Sequence, residues 1–244
     1  MEELIKILEK FEKNRDDYKK DASKKWDADA VAKCFEPCAK EILCGGYFLI
    51  NGKYIIDLGS IELYYHEEEG SIKDYIMYHI NDNKKIKTKI KEQNEELPYF
   101  KFGSFNLHQS GVDVTFENEE KRYRASFLIR AYRVLMINGG LYPENDDTKY
   151  DPHSTHIFDD MFFSGISFNN KTEIMWIPTD RKGGEIELLE RVNVATYENV
   201  DIKKEAKDAD YLKEKSKYLK VKNKYYERDM RTWRFQLKNI KKEK

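Results

Sequence analysis

The chain has 244 residues, of which 40% are hydrophobic and 36% charged, and it carries a formal net charge of −1. Its 17 Tyr and 13 Phe exclude an intrinsically disordered chain, because disordered segments are poor in aromatics. No run of 18 apolar residues occurs, so no membrane-spanning helix is expected, and the length predicts one domain with extensions.

Residues 2–20 place Leu4, Ile5, Leu8 and Phe11 at helical spacing. Charges of both signs run through this stretch, which predicts an amphipathic helix and not a signal peptide. Asp27 is placed as the N-cap of a second helix carrying Ala30, Val31, Cys34 and Phe35 on one face. Pro37 is expected to interrupt it, ahead of a further turn to Gly45-Gly46. Cys34, Cys38 and Cys44 are odd in number and contain no CxxC, so reduced thiols of a cytosolic protein are expected.

Residues 47–50 and 53–66, joined by Asn51-Gly52, predict a β-hairpin, since Asn-Gly is the strongest two-residue hairpin signal. The acidic loop Glu67-Glu68-Glu69-Gly70 leads into 71–97, a helix-like IKDYIMYHI followed by a lysine-rich connection. A second strand-rich block covers 99–108, 112–117 and 124–135, turning at Ser110-Gly111. There Val112, Val114 and Phe116 alternate with Asp113 and Thr115, as a two-faced strand requires. A Gly/Pro/Asp-rich loop at 138–156, a short helix or turn at 157–168, and strands at 172–178 and 185–197 complete the body. Helices first and strands in the middle favour an α+β plan over alternating βαβ units.

The near-neutral total hides an asymmetry. Residues 211–244 hold 13 Lys/Arg against 4 Asp/Glu, a charge of +9, which leaves −10 on residues 1–210. On one reading this is an amphipathic helix that packs Leu212, Leu219 and Tyr226 on the body and turns its charges to water. On a second, compatible reading, Lys220, Lys222, Lys224, Arg228, Arg231 and Arg234, interleaved with aromatics, meet a phosphate backbone.

The stretch IIDLGSIELYYHEEEG (55–70) sets Glu62 between Ile61 and Leu63. On a two-faced strand Glu62 simply points to solvent. If it is buried, it needs a partner or a task, and Arg130, the charge that abuts Phe127-Leu128-Ile129, is the candidate partner. A glutamate held by an arginine suits a general base that takes a proton from water.

The segment WDADAVAKCFEPCAKEILCGGYFLINGKYIIDLGSIELYYHEEEG, with Glu62-Leu63-Tyr64 before its acidic loop, resembles the opening of the alkyladenine (3-methyladenine) DNA glycosylase family. VDVTFENEEKRYRASFLIRAYRVL, with Leu128-Ile129-Arg130-Ala131, is similar to the family's pocket strand and the strand that follows. The likeness covers roughly residues 26–135, in matching order. It implies a single α+β domain with a mostly antiparallel, curved β-sheet flanked by helices, a glycosylase-like domain placed over 26–200, while the residue patterns add an N-terminal helix over 1–25 and a basic helical C-terminal extension over 201–244.

The family excises modified bases after flipping them from the duplex, without a metal or a covalent intermediate. By that resemblance Glu62 activates the attacking water, Arg130 positions it, and Tyr64 stacks on the base. Tyr65, His66 or His79 and Asp113 then line the base pocket, Asp113 where the family tends to carry a neutral amide-type residue. The family's basic, glycine-rich segment is not found; Asn81-Asp82-Asn83 stands there, and no wedge tyrosine is placed. Double-stranded DNA carrying a modified base is the implied partner of a cytoplasmic, nucleoid-associated monomer without a cofactor. A non-catalytic nucleic-acid-binding protein of the same fold is the alternative.

Asp151-Pro152-His153-Ser154-Thr155-His156 offers metal-ligand types, which a metal-dependent hydrolase would use. The spacing matches no familiar catalytic site, and a turn with Ser154 or Thr155 capping a helix at 157 is the expectation, with no metal. No GxSxG, P-loop, GxGxxG or HExxH occurs, so serine-hydrolase, NTPase and dinucleotide readings lack support.

Overall fold

The computed structural model describes residues 1–77, 79–80, 96–137, 148–163, 173–180, 184–192, 194, 218–221, 224–238 and 240. Two N-terminal helices form where expected, α1 (Glu2–Lys20) and α2 (Ala28–Cys44). Asp27 caps α2 by accepting the Ala30 N–H at 3.1 Å. Contrary to expectation, Pro37 lies inside α2 without ending it. Val31, Phe35, Cys38 and Ile42, on both sides of the proline, are buried in one core, so tertiary packing outweighs the local cost of proline in a helix. Asn14 of α1 also donates to the Cys34 carbonyl at 3.2 Å, in the turn that the proline disturbs.

The main sheet is antiparallel and curls into a half-barrel, the α+β class the sequence predicts. Its path runs β3 (Ser104–His108), β4 (Gly111–Thr115), β5 (Tyr123–Met136), β2 (Tyr54–Glu67), β1 (Gly46–Ile50) and β6 (Ile174–Pro178). The far half of β2 pairs with β10 (Arg234–Leu237), which pairs in turn with β7 (Ile186–Leu189). A separate hairpin is formed by β8 (Tyr218–Val221) and β9 (Lys224–Glu227). Asn51 and Gly52 join β1 to β2 with φ of +51° and +65°, as a type I′ turn requires. At mid-ladder between β2 and β5 the register is irregular around Ser60. Gly59 is needed there, because a Cβ would stand 2.4 Å from the Tyr150 ring.

Alternation along β2 sorts its residues between two faces. Ile61, Leu63 and Tyr65 join the core with Phe11, Phe35, Phe116, Phe127 and Phe235, and Phe35 stacks on Phe116 at 5.5 Å between ring centroids. Each large apolar side chain so buried contributes roughly 1.5–3 kcal/mol over an exposed one. Leu4, Leu8 and Phe11 place α1 within this same core. Glu62, Tyr64 and His66 are left for the opposite, polar face.

Three expectations are corrected. The helix expected over 201–244 does not form among the described residues of that segment, which make β8, β9 and β10 with irregular chain between β9 and β10. Its period is two: Trp233 and Phe235 enter the core while Arg234 and Gln236 alternate with them, which makes β10 a member of the sheet and not an appendage. The helix-like 72–80 forms no helix among its described residues. There Met77 N–H closes a turn on the Asp74 carbonyl at 3.2 Å, while Asp74 N–H donates to His66 Nδ1, so bonds to the sheet override local periodicity. The third concerns α3 (His156–Phe158), which continues into a π-helical turn at Asp159–Phe163. Thr155 stands at its cap position without a side-chain bond, and Ser154 Oγ–H donates to the Ser110 carbonyl at 2.7 Å instead.

The lysine-rich connection at 81–95, most of the 138–156 loop and residues 195–217 lie outside the described residues. Among those described, no helix is long and apolar enough to cross a membrane.

Candidate functional site

Glu62 stands on the polar face of β2 with no exposed surface. A buried carboxylate without partners is costly, and four groups meet this one. Tyr64 O–H donates to Oε1 at 2.6 Å, and Val192 N–H donates to Oε2 at 2.9 Å. Arg130 Nε lies 3.7 Å from Oε2. Arg234, opposite Glu62 in the β10–β2 ladder, adds its charge. Tyr64, Arg130, Val192 and Arg234 are all part-exposed, so the fully buried carboxylate lies beneath a rim that reaches water.

The rim is cationic. Burial, with Arg130 and Arg228 as like charges, lowers the Arg234 guanidinium from its ordinary value against the opposing pull of Glu62. The Nε atoms of Arg228 and Arg234 are buried without a hydrogen-bond partner. Burial, and then the Glu62 charge, raises the Tyr64 hydroxyl well above the usual tyrosine range, which keeps it a donor.

Behind the rim stands Arg191, fully buried. Its guanidinium carbon lies 4.9 Å from the Tyr64 ring centroid and 5.1 Å from that of Trp233. It donates to Asp74 at 2.6 and 3.2 Å and also to Asp229. Arg231 joins the same pair of carboxylates. This lattice holds the chain where it leaves β7, the point from which Val192 N–H reaches Glu62.

Asp113 is on the other side of Leu128 from Glu62 in the β4–β5–β2 register. It is buried, with Oδ1 3.1 Å from His108 Nε2 and Oδ2 accepting from Ser126 Oγ at 3.4 Å. Ser110 N–H donates to His108 Nδ1 at 3.2 Å, so the ring proton belongs on Nε2, facing Asp113.

The structure thus brings Glu62, Tyr64, Arg130 and Asp113 onto one face and adds Arg228 and Arg234. Other residues expected at the site stand elsewhere. Tyr65 points to the helices, where its hydroxyl accepts from Arg15 at 2.6 Å and donates to Glu67 at 2.9 Å. His66 is buried, with Nδ1 accepting from Asp74 N–H at 3.1 Å. His79 belongs to a separate group, with Nδ1 3.1 Å from Glu117 and 3.2 Å from Arg124 and its ring on Phe100 at 3.9 Å. Arg231 is part-exposed, and its guanidinium is engaged by the buried carboxylates of Asp229 and Asp74. Lys222 and the side chains of Lys220 and Lys224 lie outside the described residues.

Sequence reasoning missed Arg191, Val192 and His108, and it read Ser154 only as a helix cap. Only His108 left a signal: it pairs with Gly111 across the β3–β4 hairpin, which makes Asp113 its diagonal neighbour. Ser154 Oγ accepts from Arg130 Nη1 at 3.3 Å, so the 151–156 segment abuts the same site. Searches against protein-family models, curated proteins and solved structures found no match to this chain.

Proposed function

We propose that this protein hydrolyses the N-glycosidic bond of a modified base extruded from double-stranded DNA, with Glu62 as the general base. The supporting observation is the buried Glu62 carboxylate beside the Tyr64 hydroxyl and the guanidiniums of Arg130 and Arg234. A flipped nucleotide presents a base, a sugar carbon and phosphates close together. The part-exposed tyrosine suits the base and the arginines suit the phosphates.

In this reading a water beside Glu62 attacks C1′ while the carboxylate accepts its proton. The C1′–N bond breaks, its electron pair leaves with the base, and the sugar keeps the new hydroxyl. Arg130, fixed between Glu62 and Ser154, positions carboxylate and water. In the same reading Asp113 lines the side of the site that takes the base, as the resemblance implies. The proposed setting is a cytoplasmic monomer acting at the nucleoid, with the +9 C-terminal segment supplying attraction to DNA.

The test is a duplex carrying hypoxanthine, ethenoadenine or an N-methylated purine, incubated with the protein and heated in alkali. Strand breaks at the modified base are expected, and Glu62→Gln should lower them by about 10²–10⁴-fold with DNA binding retained. Absence of breaks with every modified base overturns the enzyme.

One observation favours a second reading. Both Glu62 oxygens already accept bonds and the side chain has no exposed surface, as a purely structural acceptor would have. A non-catalytic DNA-binding protein then shows a gel shift that weakens steeply with salt, and no base release.

A further inference from the structure

Asp151, His153 and His156, at the edge of the sheet beyond the Glu62 site, form the one group among the described residues whose ligand atoms converge within metal-binding range, all within 4.8 Å of one another. We propose that these three side chains bind a divalent transition-metal ion of the zinc class.

The geometry supports this in three ways. First, both rings are already gathered on one carboxylate. His153 Nδ1 and His156 Nδ1 each lie 2.8 Å from a different oxygen of Asp151, with ring centroids 4.9 Å apart. Secondly, the segment is pinned before any ion arrives. Asp151 exchanges backbone hydrogen bonds with Tyr132 at 2.6 and 3.1 Å, and Ser154, between the two histidines, is fastened to the Ser110 carbonyl at 2.7 Å. The two rings flank that anchor and need little reordering, which lowers the entropic cost of binding.

Thirdly, these are the accessible imidazoles. The chain has five histidines, and His66, His79 and His108 are buried or nearly so, with their rings engaged by protein groups. His153 and His156 have side chains 66% and 57% exposed. Two imidazoles and one carboxylate select zinc, nickel or copper over magnesium or calcium, and three protein ligands leave positions open for water. Binding replaces the ring Nδ1···carboxylate contacts with metal–nitrogen bonds, each neutral ring then carrying its proton on Nε2. Asp159 and Asp160 add negative charge facing His156. An ion here ties down the strap that carries Ser154 and, through Ser154 Oγ, Arg130. The proposal stands independently of the glycosidase reading, because nothing in it involves Glu62.

The experiment titrates zinc sulfate alone into the full chain against a chromophoric chelator, with magnesium chloride as control. One zinc per chain and no magnesium are expected. His153→Ala and His156→Ala should each weaken zinc binding by about tenfold or more, and the exposure of both rings means that neither change removes core packing. In proton NMR, two of the five histidine C–H sets should respond to zinc, and they should be the two lost in these variants. Zinc binding that persists undiminished in the double variant, or no zinc binding by the wild-type chain, overturns the proposal.

Discussion

Arg234 of β10 lies directly opposite Glu62 of β2, so the C-terminal strand places a guanidinium beside a fully buried carboxylate of the polar face. A cross-strand neighbour of opposite charge stabilises the pair, and here it also builds the cationic rim. The basic C-terminal segment therefore contributes to the site by strand pairing. Without β10 the far half of β2 would lose its partner on that side, and Glu62 one of its cations.

Arg130 spans two partners at once, Nε toward Glu62 at 3.7 Å and Nη1 to Ser154 at 3.3 Å. Lysine carries a single ammonium and cannot reproduce that fork. Arg130→Lys should lower base release by about 10²-fold, as a misplaced catalytic group does, with an unchanged far-UV circular dichroism spectrum. Wild-type rates in this variant would remove Arg130 from the mechanism.

Arg191 compensates the buried carboxylates Asp74 and Asp229. Arg191→Met keeps the bulk and removes the charge, leaving Arg231 alone to serve both. A loss of about 3–5 kcal/mol is expected, the usual cost of breaking a buried pair from one side. Urea unfolding measures it, and a loss below 1 kcal/mol (about the value of a surface pair) would show that the lattice contributes little.

Asp229 links this lattice to pH. Burial alone would raise its carboxyl, but Arg231 and Arg191 prevail and hold it at about 2. The folded value lies below the unfolded one of about 3.9, so its contribution is present above pH 4 and is lost as pH falls towards 2. The shift corresponds to roughly 2–3 kcal/mol. Asp229→Asn should be less stable than wild type at neutral pH, and the gap should close across that acid window in urea midpoints. A gap constant with pH would contradict the assignment.

Burial pushes the Cys34 and Cys38 thiols up to about 11 and about 12, so they carry almost no thiolate at pH 8. Cys44 is part-exposed. A thiol reagent at pH 8 should label Cys44 first in the native protein and all three cysteines in denaturant, as peptide mapping by mass spectrometry would show. Rapid native labelling of Cys38 would mean that α2 opens.

The sequence alone determined whatever rests on local periodicity. Alternating Val112, Val114 and Phe116 marked a two-faced strand, Asn51-Gly52 marked the hairpin, and the Leu4/Leu8/Phe11 spacing marked α1. The pairing of Glu62 with Arg130 was legible too, because a lone carboxylate stood inside one apolar stretch and a cation ended another. The same alternation that puts Glu62 and Tyr64 on one face turns Tyr65 to the other, a consequence available from the residues but masked by the adjacent aromatics. Trp233-Arg234-Phe235-Gln236 carried a strand period beneath a charge count that read as helix.

Only the tertiary structure decided which distant segments meet. Arg234 opposite Glu62, Val192 N–H on its second oxygen, Arg191 between Asp74 and Asp229, and two histidines on one aspartate all depend on strand register and chain crossings. Register is set by the whole core at once, because a slip of one residue would turn every side chain of a strand to the wrong face. No window of sequence holds that information, so Arg234 beside Glu62 became visible only once the sheet was assembled.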